Sequence, residues 1–246
     1  MSLAPLPREA KLQLAALLAE KARREANRKP TYVPNKGQEP VHMSEHRVRC
    51  VFSGNGAGKT CLVVQEAIWA LDGYHPLLKK KERVPSKVIV LLDDPEKVEK
   101  KWLPEIEKWR ILDQSWLKKK GKPYISQIDW PNGSRLYFMF TQAEDQKYES
   151  IELDLLIADE PPPRNVWMAL TRGGREKGSN PRFLIVGTPL AAPWLRTEIY
   201  EPWSRGELPD TECFRFATDV NKENLNWEAV ESYFGKLSEN ERAIRR

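Results

Sequence analysis

Residues 52–60 read FSGNGAGKT, and the interpretation of the whole sequence depends on this stretch. A loop that cradles phosphate has the pattern G-x-x-x-x-G-K-[ST], and Ser53 stands where its first glycine belongs. The apolar run at 48–52 predicts a buried strand before the loop, and residues 60–71 predict a helix after it. A strand, this loop and a helix are the context that the pattern requires. The stretch therefore predicts a nucleotide-binding α/β fold.

The residues of the loop suit phosphate chemistry. Its three glycines let backbone N–H groups converge on phosphate, Lys59 is expected to reach the β- and γ-phosphates, and the Thr60 hydroxyl is expected to ligate Mg²⁺. Ser53 is small enough to replace glycine at a position that does not itself contact phosphate. The alternative is a glycine-rich turn with an accidental Gly-Lys-Thr. The predicted nucleotide-binding set is Ser53, Gly54, Asn55, Gly56, Ala57, Gly58, Lys59, Thr60 and Cys61.

A second motif, LLIADEPPPR at 155–164, supplies what hydrolysis needs beyond phosphate binding. Asp159 and Glu160 follow a run of apolar residues, at the carboxyl end of a predicted strand where open α/β sheets form their sites. Asp159 is predicted to hold Mg²⁺, and Glu160 to deprotonate the attacking water. The alternative is an Asp-Glu pair that caps the next helix. The second carboxylate favours a hydrolase over a nucleotide switch.

A third element, FLIVGTPL at 183–190, is a predicted strand that ends in Gly-Thr-Pro. If this strand lies beside the Asp-Glu strand, the Thr188 hydroxyl is close to the γ-phosphate and can act as a sensor that couples hydrolysis to movement. An ordinary proline turn after a strand is the alternative.

The rest of the sequence alternates predicted strands with helices, which indicates a mostly parallel sheet covered on both faces. Further strands are predicted at 87–92, 153–158, 182–187 and 213–220, and a hairpin over 124–140 that turns at Pro131-Asn132-Gly133. Helices are predicted at 8–27, 95–109 and 164–170, with a helix-turn-helix over 226–246.

Composition excludes several classes of protein. No apolar run approaches the roughly 18–20 residues of a membrane span, and the first residues lack the order of a signal peptide. The three cysteines and three histidines are too scattered in sequence for a disulfide framework or a zinc motif, which favours a reduced, cytosolic protein. The net charge of +5 permits a polyanionic partner without requiring one.

Taken together, the series QEPVH, SGNGAGKT, DQKYES, LDLLIADEPPP, VWMALTRGG and FLIVGTPL resembles the ATPase half of the large terminase subunit of tailed bacteriophages. The resemblance covers roughly residues 30–220. It implies a three-layer P-loop ATPase of the additional-strand, catalytic-glutamate type that uses ATP and Mg²⁺. It also implies a ring on the portal protein that drives double-stranded DNA into a prohead, with a small terminase subunit as partner, in the cytoplasm of the infected host. The isolated domain is expected to be a monomer with no membrane partner.

The resemblance also assigns roles to single residues. Gln38 matches the family's adenine-recognition glutamine, whose amide offers both a donor and an acceptor; a surface glutamine is the alternative. Family loops often carry an arginine where this sequence has Gly56. Arg172 best matches the family's arginine after the Asp-Glu strand, with Arg164 and Arg175 as alternatives, and an arginine donated by a neighbouring subunit would make hydrolysis depend on assembly.

The resemblance divides the chain into a helical segment at 1–30, an ATPase core at 31–220 and a C-terminal helical lid or linker at 221–246. Relatives carry a separate nuclease domain after this point. We expect that either the chain is a truncated form or the nuclease is a separate protein, the former being favoured, and that this polypeptide does not cut DNA.

Two basic runs, LLKKKER near 78–83 and WLKKKGK at 116–122, are candidate contacts to DNA phosphate, although a solvated loop is the commoner explanation of such runs. A helicase-like ATPase shares the site chemistry, but no further helicase motifs follow. A non-catalytic, nucleotide-gated binding module is the alternative from another class, and Glu160 argues against it because a switch needs no base beside its metal ligand.

Overall fold

The computed structural model describes residues 29–141, 152–172, 180–188, 192–239 and 242. The helix predicted at 8–27 lies outside the described residues, as do the stretch at 145–150, Arg175, Pro189 and most of the last predicted helix. None of the described helices combines the length and the apolar character that a membrane span requires.

Ten strands form the β-structure of the described chain. The longer ones are β1 (Val48–Ser53), β4 (Lys87–Leu92), β7 (Arg135–Phe140), β8 (Leu155–Asp159), β9 (Arg182–Gly187) and β10 (Thr211–Phe216). The short ones are β2 (Tyr74–His75), β3 (Lys80–Lys81), β5 (Leu117–Lys118) and β6 (Gln127–Asp129).

Seven α-helices accompany them in the same residues: α1 (Gln38–Met43), α2 (Lys59–Asp72), α3 (Leu103–Trp109), α4 (Arg164–Arg172), α5 (Pro193–Leu195), α6 (Glu201–Ser204) and α7 (Trp227–Gly235). A π-helical turn, Val98–Trp102, leads into α3, and another, Arg196–Tyr200, joins α5 to α6. Two 3₁₀ segments follow strand or helix ends, at Gln114–Trp116 and Thr218–Asn224.

The eight-stranded sheet has the order β10-β1-β9-β8-β4-β7-β6-β5. All neighbouring pairs from β10 to β7 are parallel, and β6 and β5 extend that edge as antiparallel strands. The strand β9 is inserted between β1, which leads to the glycine-rich loop, and β8, which carries the Asp-Glu pair. This inserted strand is the additional strand of the predicted fold class, and that prediction is confirmed.

Helices cover both faces of the sheet and divide the apolar core in two. One cluster packs α2 and the segment around α3 against one face, with Leu62, Trp102 and Ile157 at its centre. The other packs α4 and α5 against the opposite face through Trp167 and Leu195. Because both faces are covered, the central strands are apolar almost without alternation, as parallel sheets require.

Two elements differ from their prediction. The helix expected at 95–109 starts at residue 96, but the π-helical turn Val98–Trp102 interrupts it before α3, so its first half is less regular than the amphipathic pattern suggested. The strand expected over 213–220 spans Thr211–Phe216 instead, and the chain then turns into the 3₁₀ segment Thr218–Asn224. The Thr218 side chain donates a hydrogen bond to the Asn55 carbonyl at 2.8 Å, which draws the chain across the glycine-rich loop instead of along the sheet.

Candidate active site

The glycine-rich loop turns between β1 and α2 with two of its glycines in the left-handed region. Gly56 has φ of +79° and Gly58 has φ of +93°, conformations that cost other residues free energy. Gly58 has a second constraint, because a Cβ atom there would lie 2.7 Å from Gln38 Nε2. The conformation of the loop therefore depends on glycine at both positions. The positive φ at position 56 also explains why this chain has no arginine there.

Lys59 is the first residue of α2 and reaches back along the loop. Its ammonium group donates to the Ser53 carbonyl at 3.2 Å and to the Gly54 carbonyl at 3.0 Å. Burial lowers the pKa of Lys59, while Glu160 and Asp159 act in the opposite direction. The lysine thus lies between the loop and the carboxylates. A bound phosphate could replace the two carbonyls as the acceptor of its hydrogen bonds.

Ser53, at the position of the motif's first glycine, is buried at the end of β1. Its hydroxyl has no hydrogen-bond partner in the part of the chain that the structure describes. The serine is therefore accommodated sterically, and its hydroxyl contributes no bond to the loop.

Asp159 ends β8 and is only 6% exposed. Its Oδ2 accepts a hydrogen bond from Trp102 Nε1 at 3.0 Å, and Trp102 itself is fully buried. Burial raises the pKa of Asp159, although the Trp102 bond and nearby lysines act in the opposite direction. Trp102 thus orients the carboxylate, a role that its apolar, helical sequence context did not indicate.

Glu160 has a backbone φ of +91°, which is rare for a residue with a side chain. Its N–H donates to the Val186 carbonyl at 3.0 Å, and this bond ties it to β9. A Cβ atom on Gly187 would lie 2.3 Å from Pro161 Cδ and 3.1 Å from Glu160 Oε2. Gly187 therefore leaves the space in which Glu160 and Pro161 fit, and sequence reasoning missed its importance.

Thr188 follows β9 at the carboxyl edge of the sheet. On one side Gly187 is aligned with Phe52 of β1, and on the other Val186 is aligned with Asp159 of β8. The residue after Gly187 therefore lies between the glycine-rich loop and the Asp-Glu pair. Its role as a sensor stays a prediction.

Gln38 is buried, so the alternative of a surface glutamine is wrong. Its Nε2 donates to the Gly58 carbonyl at 2.9 Å, and its Oε1 accepts from the Asn35 N–H at 2.9 Å. A glutamine amide has a second N–H and a second lone pair, so these bonds leave one donor and one acceptor for a base. Adenine recognition stays a prediction, and the observed bonds tie α1 to the loop.

The candidate arginines lie at opposite ends of α4. Arg164 opens the helix, and its Nε donates to Glu198 Oε1 at 2.5 Å. Arg172 ends the helix and is exposed, about 12 Å further along at 1.5 Å per residue. Trp167, between them, packs its ring 5.6 Å from that of Phe183 at the start of β9. The helix therefore runs back toward the amino edge of the sheet, and Arg172 lies away from its own chain's Glu160.

The oxygen donors at this edge match the preference of Mg²⁺. The Thr60 hydroxyl at the start of α2 and the Asp159 carboxylate are hard oxygen ligands of the kind that this ion prefers. Cys61, in contrast, is an unsuitable ligand, because burial, followed by the Glu105 carboxylate, raises the pKa of its thiol to about 12.

A second cluster of ligand-type side chains lies behind α2, where His42, Glu66 and His75 are buried together. His42 Nδ1 lies 2.6 Å from Glu66 Oε1, and Arg49 Nη2 lies 2.5 Å from Glu66 Oε2. Arg49 already balances the charge of the carboxylate, and a divalent cation would add uncompensated charge to a dry interior. We therefore interpret this cluster as structural.

The two basic runs differ in their surroundings. In the first, Lys80 is paired with Glu45 at 2.5 Å and Arg83 with Asp154 at 3.1 Å. In the second, Lys118 donates to the Ser115 carbonyl and Lys119 to the Pro123 carbonyl. No ion pair among the described residues includes the lysines of the second run, which are Lys118, Lys119, Lys120 and Lys122.

Comparisons with known proteins agree with this geometry. No protein-family model matches the sequence, and no curated protein matches it. Among solved structures, the chain is similar to the large terminase of a thermophilic bacteriophage in complex with ADP, with a TM-score of 0.61 at 15% identity over 83% of this chain and 50% of that one.

It is also similar to the large terminase ATPase domain of Thermus phage P74-26, with a TM-score of 0.55 at 17% identity over 87% and 92% of the two chains. The HK97 bacteriophage large terminase gives a TM-score of 0.54 at 14% identity over 76% and 40%. The chain thus spans about half the length of the ADP-bound large terminase and nearly all of the P74-26 domain. Its fold is that of large terminase ATPase domains, in agreement with the resemblance in sequence.

Proposed function

We propose that this chain is the ATP-hydrolysing motor domain of a phage DNA-packaging terminase, which couples ATP hydrolysis to the movement of double-stranded DNA into a prohead. The observation that carries the proposal is the insertion of β9 between the strand of the glycine-rich loop and the strand of Asp159 and Glu160. Supporting it, the large terminase of the thermophilic bacteriophage, with the same fold, has been solved with ADP and with ATP-gamma-S.

The proposed chemistry assigns one task to each group. Backbone N–H groups of residues 54–59 bind the phosphates, and Lys59 neutralises the β- and γ-phosphate oxygens. Glu160 takes the proton of the attacking water, and its strained backbone, fixed by Val186 and Pro161, holds the carboxylate in one orientation. Thr188, directly after β9, acts as the sensor that couples hydrolysis to movement.

Thr60 and Asp159 would hold Mg²⁺, which when bound supplies neutralisation of the phosphate charge. Arg172 is proposed to act on the site of a neighbouring subunit, because the direction of α4 carries it away from its own. Gln38 is proposed to contact adenine with the donor and acceptor that its internal bonds leave over.

The proposed partners follow from the same family. They are double-stranded DNA bound without sequence preference, the portal protein and the small terminase subunit, with a homo-oligomeric ring as the assembled form in the cytoplasm of the infected bacterium. We propose the division into a segment at 1–30, a core at 31–220 and a lid or linker at 221–246 as the working map of the chain.

Steady-state ATP turnover and nucleotide binding test the enzymatic part. Lys59→Ala is expected to abolish binding, because the lysine bonds phosphate in both the ground and transition states. Glu160→Gln is expected to bind ATP as the wild type does but to turn over roughly 10²–10⁴-fold more slowly, since only the base is removed. Equal turnover by Glu160→Gln and wild type would overturn the assignment of the base.

A helicase-like ATPase shares this chemistry, and its action on DNA distinguishes it from the proposed motor. The proposed motor is expected to be stimulated by duplex DNA and to displace no strand from a partial duplex. Strand displacement with ATP would favour the helicase. A wild-type protein that binds ATP without turnover, in the presence of duplex DNA and at high protein concentration, would identify a nucleotide-gated binding module instead.

A further inference from the structure

The six carbonyls of the glycine-rich loop, from Ser53 to Gly58, all accept hydrogen bonds from side chains. Lys59 bonds the first two, as described above. The other four bonds are Thr218 Oγ1 to Asn55 at 2.8 Å, Asn221 Nδ2 to Gly56 at 2.7 Å, Asn35 Nδ2 to Ala57 at 3.3 Å and Gln38 Nε2 to Gly58 at 2.9 Å. Two of these donors precede the loop in the sequence, and two follow it by more than 160 residues.

A hydrogen bond to a carbonyl also determines the direction of the N–H group in the same peptide unit. Because the peptide is planar and trans, its C=O and N–H point in opposite directions. Side chains that hold the carbonyls of residues 55–58 outward therefore turn the N–H groups of residues 56–59 toward the opposite, concave side that would receive an anion, whereas Lys59 bonds the first two carbonyls from the site itself. A loop with left-handed glycines at positions 56 and 58 has many other conformations, and the external bonds select among them.

Thr218 and Asn221 belong to the 3₁₀ segment between β10 and α7, more than 160 residues from the loop. Thr218 is only 1% exposed. The segment also packs on the loop, since a Cβ atom on Gly56 would lie 3.5 Å from Leu225 Cδ1 and 3.6 Å from Thr218 Cγ2. Asn221 is oriented in turn by Asn224, whose Nδ2 donates to Asn221 Oδ1 at 3.0 Å.

We propose that Thr218 and Asn221 are positioning residues that hold the Asn55 and Gly56 peptide units in the phosphate-binding conformation, so that the segment leading to α7 sets nucleotide affinity. The proposal rests on the proposed function for the identity of the ligand. The geometry of the loop itself does not depend on it. Since the same segment leads directly to α7, a change in the loop is transmitted to that helix through two side chains.

The test compares Thr218→Val, which keeps the shape of threonine without its hydroxyl, and Asn221→Ala with the wild type. Each is expected to raise the dissociation constant and the KM for ATP about 5-fold, the factor that corresponds to one ordinary hydrogen bond. Turnover at saturating ATP is expected to stay unchanged, because neither side chain contacts the reacting atoms. Thr218→Ser is expected to restore wild-type affinity, and Glu223→Gln, in the same segment, serves as the control.

A second readout needs no nucleotide. Hydrogen exchange of the loop's N–H groups is expected to be faster in the double variant Thr218→Val/Asn221→Ala than in the wild type, while the melting temperature shows that the domain is folded. Unchanged exchange with unchanged ATP affinity would overturn the proposal. So would a defect in Thr218→Ser equal to that in Thr218→Val. Wild-type protein without ATP binding would instead refute the proposed function, and the exchange experiment would still test the positioning role.

Discussion

Glu160 is one of three non-glycine residues with positive φ in the described chain, and the other two, Lys79 and Lys120, lie in surface turns. Such a conformation costs about 1–3 kcal/mol and persists only where its surroundings fix it. Here the bond to Val186 and the ring of Pro161 fix it, and Gly187 provides the space. We attribute the strain at Glu160 to the need for one fixed orientation of its carboxylate in the site.

The first prediction concerns Gly187→Ala. A Cβ atom there would lie 2.3 Å from Pro161 Cδ, so the rigid proline and Glu160 must move. We expect ATP turnover to fall by about 10²-fold, the effect of misplacing a catalytic group by about 1 Å, while ATP binding is retained. Gly235→Ala, where nothing lies within 4 Å, is the matched control. Turnover of Gly187→Ala within the range of that control would contradict the argument.

At the scale of elements, α1 is fastened to α2 and β1 by a buried polar network. Burial lowers the pKa of His42 and raises that of Tyr32, so both are uncharged. The Tyr32 hydroxyl then donates to His42 Nε2 at 2.8 Å, and His42 Nδ1 donates to Glu66. Arg49, on β1, holds the pKa of the Glu66 carboxyl well below its usual range despite burial. The network thereby keeps Gln38, on the same short helix, against the loop.

This network predicts a pH dependence of stability. His42 has a folded pKa below the unfolded value of 6.5, so below that pH the unfolded chain binds a proton that the folded chain does not. The free energy of unfolding should therefore fall as pH decreases from 6.5, with a slope that approaches about 1.4 kcal/mol per pH unit.

Denaturant unfolding of wild type and His42→Gln between roughly pH 5 and 7 measures this slope. The variant is expected to be less stable at neutral pH but to lack the His42 part of the slope. Glu66 does not interfere, because the stability that it contributes disappears only below its unfolded pKa of 4.5. His46→Gln, at the exposed pair with Glu212, is the control. Equal slopes for wild type and His42→Gln would contradict the interpretation.

The short hairpin of β5 and β6 suggests which basic run meets DNA. Lys120 and Gly121 both have positive φ, at +49° and +76°, which makes a tight turn at the outer edge of the sheet. The turn carries lysines without ion-pair partners among the described residues, whereas in the first run Lys80 and Arg83 are paired with carboxylates.

We therefore predict that Lys119→Gln/Lys120→Gln weakens binding to duplex DNA uniformly across sequences. The slope of log affinity against log salt should decrease by roughly 0.9 for each phosphate that the variant no longer neutralises. Lys80→Gln/Arg83→Gln removes the same formal charge from the first run and is expected to leave the slope unchanged. Equal effects of the two double variants would mean that net charge alone governs binding.

At the scale of the whole molecule, the parallel sheet brings the loop, Asp159, Glu160 and Thr188 to one edge, because the carboxyl ends of parallel strands share that edge. The helix α4 runs back to the other edge and carries Arg172 with it. Within a single chain the site therefore has Lys59 near its carboxylates, while Arg172 ends a helix that leads away from this edge.

This arrangement predicts that hydrolysis depends on assembly. If Arg172 serves a neighbour's site, specific ATPase activity should rise with protein concentration, and Arg172→Ala should reduce turnover by up to the roughly 10³–10⁵-fold that such an arginine contributes, without weakening ATP binding. A mixture of Lys59→Ala and Arg172→Ala should recover activity, because each supplies what the other lacks. Arg164→Ala, at the opposite end of α4, is the control. Full activity at nanomolar protein, independent of dilution, would contradict this prediction.

Local features could be read from the amino-acid sequence: the glycine-rich loop after a buried strand, the Asp-Glu pair at a strand end, the hairpin at Pro131-Asn132-Gly133 and the alternation that indicates a covered parallel sheet. Apolar runs, glycine conformations and proline turns act over a few residues, so they can be recognised without the fold. The class of fold and the candidate catalytic groups could be predicted for this reason.

The side chains that contact those groups from distant parts of the chain became apparent from the three-dimensional packing. These contacts join segments that are far apart in the chain. Trp102 bonds Asp159, Thr218 and Asn221 bond the loop, and two scattered histidines meet at Glu66. No local pattern marks such residues, because their contacts depend on strand order and on the packing of helices over the sheet. The direction of α4, and with it the position of Arg172, depends in the same way on the crossover between β8 and β9.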